Sequence, residues 1–210
     1  MYSSKHLAQL MRNLYHRLFG KFLSAWGAPV MARLQDRRIL ERDVFPYILE
    51  HREFRNVLWV GCIWYTAPYV TLFRDRNFWT LDIDPLKGRY GSARHLVDGM
   101  ENMRRHFGIG VLDLVLCNGV VGWGLNSLVQ VEQAFAGCFE SLRPGGVLMI
   151  GWNDLSHARP IPFAKLTSIA RFEPYVFPPL RTHELRTRSI GRHVFTFYRK
   201  PLVATTAQQS

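Results

Sequence analysis

Four short strand-like runs in this chain each stop at a residue able to bind or position a ligand. Residues 57–60 stop at Gly61, 79–81 at Asp82, the weaker run 95–97 at Asp98, and 112–117 at Asn118. A carboxylate accepts hydrogen bonds, a carboxamide donates and accepts them, and a glycine lets the backbone approach closely. Open α/β sheets bind ligands at the carboxyl ends of parallel strands, which is where these residues fall. Two other chemistries are weaker. Cys62, Cys117 and Cys138 have neither a disulfide framework nor zinc-finger spacing, and read as buried apolar residues in a reducing compartment, so no metal site is expected. A histidine titrating near neutrality can act as a general base, although a lone histidine is more often structural.

The elements that must hold these residues alternate. Strands are predicted at about 56–60, 78–83, 95–97, 112–117 and, after the turn Pro144-Gly145-Gly146, at 147–151. Helices are predicted between them near 67–73 and 100–107. A stripe of Leu128, Val131, Phe135, Cys138 and Leu142 predicts a longer one, with Ser127 as its N-cap. The run 112–117 is apolar on both faces, as a strand covered by helices on both sides should be. Strand and helix alternating in this way give an α/β fold with a doubly wound, mostly parallel sheet. After Asp154, Pro160, Pro162, Pro174, Pro178 and Pro179 interrupt the chain around a short helix near 163–170, and 193–199 reads as a last strand.

Ahead of the sheet, residues 36–50 carry an apolar face of Ile39, Leu40, Val44, Phe45, Ile48 and Leu49, with Pro46 as a bend or break. Residues 1–35 contain no acidic residue, and Leu7, Leu10, Met11, Leu14, Leu18, Phe22 and Trp26 recur at helical spacing. This basic amphipathic extension is readable as a membrane-surface contact, as a lid, or as a helix packing on the domain or on a second copy. Residues 203–210 are small and polar and form an expected frayed tail. The chain thus divides into 1–35, 36–202 and 203–210.

Length and charge bound the function only loosely. The 210 residues suffice for one domain with a sizeable core. No apolar run is long enough to span a bilayer, so a cytoplasmic protein, peripheral to a membrane at most, is expected. The net charge of +11 comes without a zinc-finger, RNP or helix-turn-helix pattern, so no specific nucleic acid is predicted as a partner. Acidic small molecules, acid-bearing glycans and anionic lipid surfaces all remain open.

In order and spacing, the motifs from residue 56 to 152 resemble the class I S-adenosylmethionine-dependent methyltransferases, particularly the small-molecule type labelled methyltransferase type 11. The match is carried by Val57-Leu58-Trp59-Val60-Gly61-Cys62, Leu81-Asp82-Ile83-Asp84-Pro85, Val97-Asp98-Gly99-Met100 and Leu112-Asp113-Leu114-Val115-Leu116-Cys117-Asn118. The resemblance implies a Rossmann-like sheet of about seven strands with one antiparallel, and S-adenosyl-L-methionine as cofactor. It implies that Asp82, or secondarily Asp84, binds the ribose hydroxyls, since a carboxylate accepts two hydrogen bonds from a cis-diol. Asp98 would meet the adenine amino group and Gly61 with Cys62 the methionine end. Asn118 would lie nearest the chemistry. Asp82 and Asp98 are also readable as a turn aspartate and an N-cap.

One loop departs from the family's pattern. Trp59, Ile63 and Tyr65 stand where the family has an acid and two further glycines, so Trp64, Tyr65 or Thr66 would have to contribute to cofactor binding. The acceptor pocket would draw on Trp123 and Asn126 after the fourth strand, and on Asn153, Asp154, His157, Arg159, His183 and His193 beyond it. The resemblance implies methyl transfer to a small molecule, a glycan or a lipid intermediate. Two alternatives stand beside it: a catalytically silent module acting through its basic N-terminus, and a nucleotide-binding oxidoreductase. The second lacks a Gly-x-Gly-x-x-Gly after the first strand.

Overall fold

Alternate residues of the central strands enter two different cores. Val57 and Trp59 of β1 (Asn56–Val60), with Leu114 and Leu116 of β4 (Leu112–Asn118), face one side. Leu58, Val60, Val115 and Cys117 face the other. This period of two places a buried layer on each side of the sheet, so both faces need a helical cover. The computed structural model describes residues 35–154, 163–188 and 191–202. Residues 1–34 of the basic extension, the 203–210 tail, His157 and Arg159 lie outside the described residues.

One cover comes from before the sheet. Helix α1 (Gln35–Ile39) runs through a π-helical turn (Leu40–Val44) into α2 (Phe45–Glu50), and Leu40, Val44, Phe45 and Ile48 bury against Trp59 and Leu116. Pro46 sits in the first turn of α2, where its missing N–H costs nothing, so the helical run passes through it. Helix α3 (Ala67–Leu72) adds Tyr69 to the same side. The opposite cover is α4 (Leu128–Ser141), which buries Val131, Phe135 and Cys138 beside a 3-10 turn (Met100–Arg105). Ser127 caps α4 in a capping box with Gln130, as its position predicts. Leu128 opens the apolar stripe yet is 53% exposed.

The remaining strands are β2 (Asn77–Asp82), β3 (Arg94–Val97), β5 (Leu142–Asn153), β6 (Glu173–Pro174), β7 (Glu184–Arg186) and β8 (His193–Arg199). A last short helix, α5 (Thr167–Ala170), packs against α4. The sheet order is β3-β2-β1-β4-β5-β8-β6, with β7 also beside β8. Strands β1 to β5 pair in parallel and β8 runs antiparallel to β5. This is the expected Rossmann-like sheet with one refinement. The outer lane is split, β6 pairing near Tyr198 and β7 near Phe195. Both pieces are shorter than the window in which alternation can be read, so the sequence predicts neither.

The Pro144-Gly145-Gly146 turn is absorbed into β5. Leu142 already pairs with Leu112, and the next register pair is Leu114 with Val147, so residues 143–146 bulge out between them. Gly145 takes φ 76° there and donates its N–H to the Lys200 carbonyl, a conformation a side chain would strain. Among the described residues no helix is long and apolar enough to cross a membrane.

Candidate functional site

The chain builds β1, β2 and β3 outward in one direction and then places β4 on the other side of β1. Where the order reverses, the loops after β1 and β4 part and leave a crevice. A cavity of about 900 Å³ opens there, lined by the tips of β1, β2 and β4 and by residues of α1. Its size falls within the usual range of small-molecule sites.

The loop after β1 is folded by its own hydrogen bonds. Gly61, at φ 87°, donates its N–H to the Leu81 carbonyl and accepts the indole N–H of Trp59 at 2.6 Å. Trp59 is buried in the lower core, so the position where the family has an acid is used to pin this loop from beneath. The Ile63 N–H donates to the Thr66 hydroxyl, and that hydroxyl donates to the Ile63 carbonyl at 2.8 Å. Thr66 is therefore buried and committed to shaping the loop. Between Gly61 and Thr66 only Gly61 has a positive φ, so Ile63 and Tyr65 sit in ordinary backbone and project into the cavity lining. The Cys62 thiol is pushed up to about 12 by burial and by the Asp82 carboxylate, which keeps it protonated and unreactive.

Asp82 ends β2 inside the cavity. One of its oxygens accepts the Cys62 N–H at 2.7 Å and the other the Asp84 N–H at 2.9 Å. A carboxylate has about four acceptor positions, so each oxygen of Asp82 keeps one for a ligand. Asp84 is placed otherwise: its side chain caps the 3-10 turn (Pro85–Tyr90) through the Leu86 N–H, outside the cavity lining. Asp98 lines the cavity but is more heavily engaged. It accepts from the Gly99 N–H, from the Asn102 amide at 2.9 Å and from His106 at 2.8 Å. The Asn102 and His106 bonds hold its carboxyl below the usual range, and one acceptor position remains for a ligand.

Across the cavity, Asn118 ends β4 and is 6% exposed. Its amide oxygen lies 3.0 Å from His193 Nε2 at the start of β8, and His193 Nδ1 lies 2.7 Å from the Asn153 amide oxygen at the end of β5. Burial lowers the His193 pKa to about 4, so the ring is neutral at physiological pH and donates from only one nitrogen. One of the two asparagines must therefore turn its NH₂ toward the ring, which fixes the amides as an ordered chain across three strand ends. Gly151 makes room for it, since a Cβ there would run into the Asn118 amide and His193 Nε2. Trp123 stands at the mouth, 73% exposed, in a loop turned by Gly119 and Gly122 at positive φ. Asn126 is exposed and outside the cavity lining. His157 lies outside the described residues.

Two lining residues that the sequence reading does not single out are Asp36 and Arg37. Arg37 is 6% exposed. Its Nη1 donates to the Tyr69 hydroxyl at 3.4 Å, and its guanidinium lies 4.6 Å from the centre of the Tyr65 ring. The Tyr69 hydroxyl donates in turn to Glu41 at 3.0 Å. The signal was present in the sequence: Arg37 shares the spacing of Leu40, Val44 and Ile48 and falls on the apolar stripe of its helix. A charged residue on a buried stripe requires a reason to be there. His193, named only among six polar candidates, joins the site because β8 lies beside β5.

No family model matches the chain, and no curated protein matches it by sequence. Solved structures do match. The N-methyltransferase NodS from Bradyrhizobium japonicum superposes with a TM-score of 0.56 at 16% identity, over 79% of this chain and 99% of that one. A TehB-like S-adenosylmethionine-dependent methyltransferase from Corynebacterium glutamicum gives 0.55 at 16% identity, over 94% and 97%. The 1,6-didemethyltoxoflavin-N1-methyltransferase of Burkholderia thailandensis, solved with 1,6-didemethyltoxoflavin and S-adenosylhomocysteine bound, gives 0.53 at 14% identity, over 96% and 92%. At such identities the likeness is one of fold, and the fold is that of the class I methyltransferases.

Proposed function

We propose that the chain, on this methyltransferase fold, transfers a methyl group from S-adenosyl-L-methionine to a small-molecule, glycan or lipid-intermediate acceptor. The observation that carries the reading is Asp82, at the tip of β2, with an acceptor position left on each oxygen. That is the requirement for holding a cis-diol. The cofactor supplies a methyl group on a sulfonium sulfur, open to in-line attack by an oxygen, nitrogen or carbon nucleophile.

The chain's residues then divide the work. Asp82 holds the ribose hydroxyls, with Ile83 and the edge of Met100 offering apolar surface beside it for the base. Gly61 lets the first loop lie close to the ligand. Asn118, fixed through His193, presents one group in one orientation to the transfer site, and Trp123 shapes the acceptor's entry. His193, with both ring nitrogens bonded to asparagine amides and its pKa lowered to about 4 by burial, positions Asn118 and is not a general base. An amine or an enolate needs only alignment and a dry cavity.

A second reading is favoured by Ile63 and Tyr65, whose side chains occupy cavity lining where the family keeps glycine. It is a catalytically silent module that acts through the basic residues 1–35. Calorimetric titration with S-adenosylhomocysteine separates the two. The enzyme reading expects micromolar binding, on the order of −8 kcal/mol. Absence of both heat and a thermal shift would leave the silent module as the better account.

A further inference from the structure

S-adenosylmethionine ends in an amino acid, and a carboxylate and an ammonium need opposite charges when they leave water. The cavity offers an acid and a base side by side at its β1–β4 end, and both come from α1. We propose that Arg37 and Asp36 receive the amino-acid end of the cofactor, Arg37 binding the carboxylate and Asp36 the ammonium. This assignment rests on the cofactor reading above and deepens it.

Arg37 is built for an anion it does not find in the chain. Its guanidinium carries five N–H donors. Among the described residues its one hydrogen bond is the long contact with Tyr69, and no carboxylate lies within ion-pair distance. Asp36 and Glu41 act on this buried charge only from beyond contact distance, so a ligand carboxylate in direct contact would offset its desolvation further. The side chain is nevertheless held in place. Tyr65 lies under the guanidinium, Tyr69 fixes one nitrogen, and Glu41, one helical turn on, fixes Tyr69. The π-helical turn begins three residues after Arg37, and such turns recur at functional sites.

The loop after β1 offers the ammonium no carboxylate. Residues 59–66 contain no acid, and Trp59 spends its only polar hydrogen on the Gly61 carbonyl. Asp36 lines the same end of the cavity, and among the described residues it has no ion-pair partner. With the diol on Asp82 and the base against Ile83 and Met100, the β1–β4 end is the part left for the amino acid. The opposite-charge pair is there.

The test compares two ligands that share the adenosine thioether. S-adenosylhomocysteine carries the amino acid and 5′-methylthioadenosine lacks it. Wild type should bind the first at least ~30-fold more tightly, as expected for a bidentate charge pair with its hydrogen bonds. Arg37→Met should remove most of the S-adenosylhomocysteine advantage over methylthioadenosine, at least ~10-fold, and leave methylthioadenosine within about twofold. Arg37→Lys, which keeps the charge but not the fork, should give an intermediate loss confined to the same ligand, and serves if the methionine variant does not fold. Asp36→Asn should show the same selective loss, smaller. Equal weakening of both ligands would make Arg37 a packing residue and overturn the assignment, as would unchanged S-adenosylhomocysteine binding. Wild type that binds both ligands equally sinks this assignment alone. Wild type that binds neither sinks the cofactor reading with it.

Discussion

At the β2–β3 end of the cavity, each acid comes from a strand tip and is held mostly by its own loop, with one bond, from the Cys62 N–H to Asp82, crossing from the loop after β1. Asp82 takes N–H groups from Cys62 and Asp84, and Asp98 is held by Gly99, Asn102 and His106. At the β1–β4 end the groups converge from far apart in the chain. Arg37 arrives on a helix, Asn118, Asn153 and His193 on three different strands, and the contacts hold only if those strands pair in register. A locally built end survives small errors elsewhere in the fold. An end assembled over long range is where geometry, and therefore specificity, is set by the whole sheet.

The largest expected effect tests the local end. Asp82→Ala removes both proposed diol bonds and the anchor of the Cys62 N–H. Hydrogen bonds to a charged group contribute about 1.5–3 kcal/mol each, so S-adenosylhomocysteine binding should weaken by about 3 kcal/mol or more, on the order of a hundredfold. Titration calorimetry checks it. Binding within a few-fold of wild type would mean that this end does not anchor the ligand, and the comparison would have to be reversed.

The long-range end should show itself through pH. Burial holds His193 near a pKa of about 4, below its ordinary value of about 6.5. Between those values the unfolded chain binds a proton that the folded chain refuses. Stability is therefore full above about pH 6.5, falls as pH drops toward 4, and loses up to roughly 3 kcal/mol. His193→Gln should flatten that part of the profile. The readout is the difference between wild-type and variant urea midpoints at pH 7 and pH 4.5. Parallel curves would mean that the imidazole is not the buried neutral group of this end.

Gly151→Ala sharpens the same contrast by steric means. Its Cβ would displace the Asn118 amide and the His193 ring, while Asp82 and Asp98 stay untouched. Overpacking of this kind costs about 2 kcal/mol, on the order of 5 °C in thermal midpoint for a chain of this size. An unchanged midpoint would show that the amide chain can move aside without cost, and that the long-range end is looser than its distances suggest.

What could be read from the sequence follows the same division. Asp82, Asp98 and Asn118 stand out because each closes a strand-like run, and strand tips are where an α/β sheet presents its chemistry. The sheet itself is legible for the same reason, since its central strands are long enough to show their period. Arg37 is legible only as a charge on the apolar stripe of Leu40, Val44 and Ile48; that it faces a cavity depends on how the helix packs on the sheet. His193 carries no local mark; only the antiparallel return of β8 beside β5 brings it to Asn118. The lane formed by β6 and β7 is too short for any pattern, and its existence depends on β8 offering a free edge.

The smallest effect separates two acids that the sequence leaves side by side. Asp82 and Asp84 both lie at the end of the second strand, and either could meet a diol by spacing alone. In the folded chain Asp84 spends its side chain on the Leu86 N–H and lies outside the cavity lining. Asp84→Ala should therefore cost about 1 kcal/mol of stability, the usual value of a lost cap, and change S-adenosylhomocysteine affinity less than about threefold. Thermal unfolding and calorimetry on one preparation measure both. If Asp84→Ala weakened the ligand as much as Asp82→Ala, the turn after β2 would have to be a jointly built site, and the neighbour bonds of Asp82 would be holding a binding loop together rather than leaving one carboxylate free to act alone.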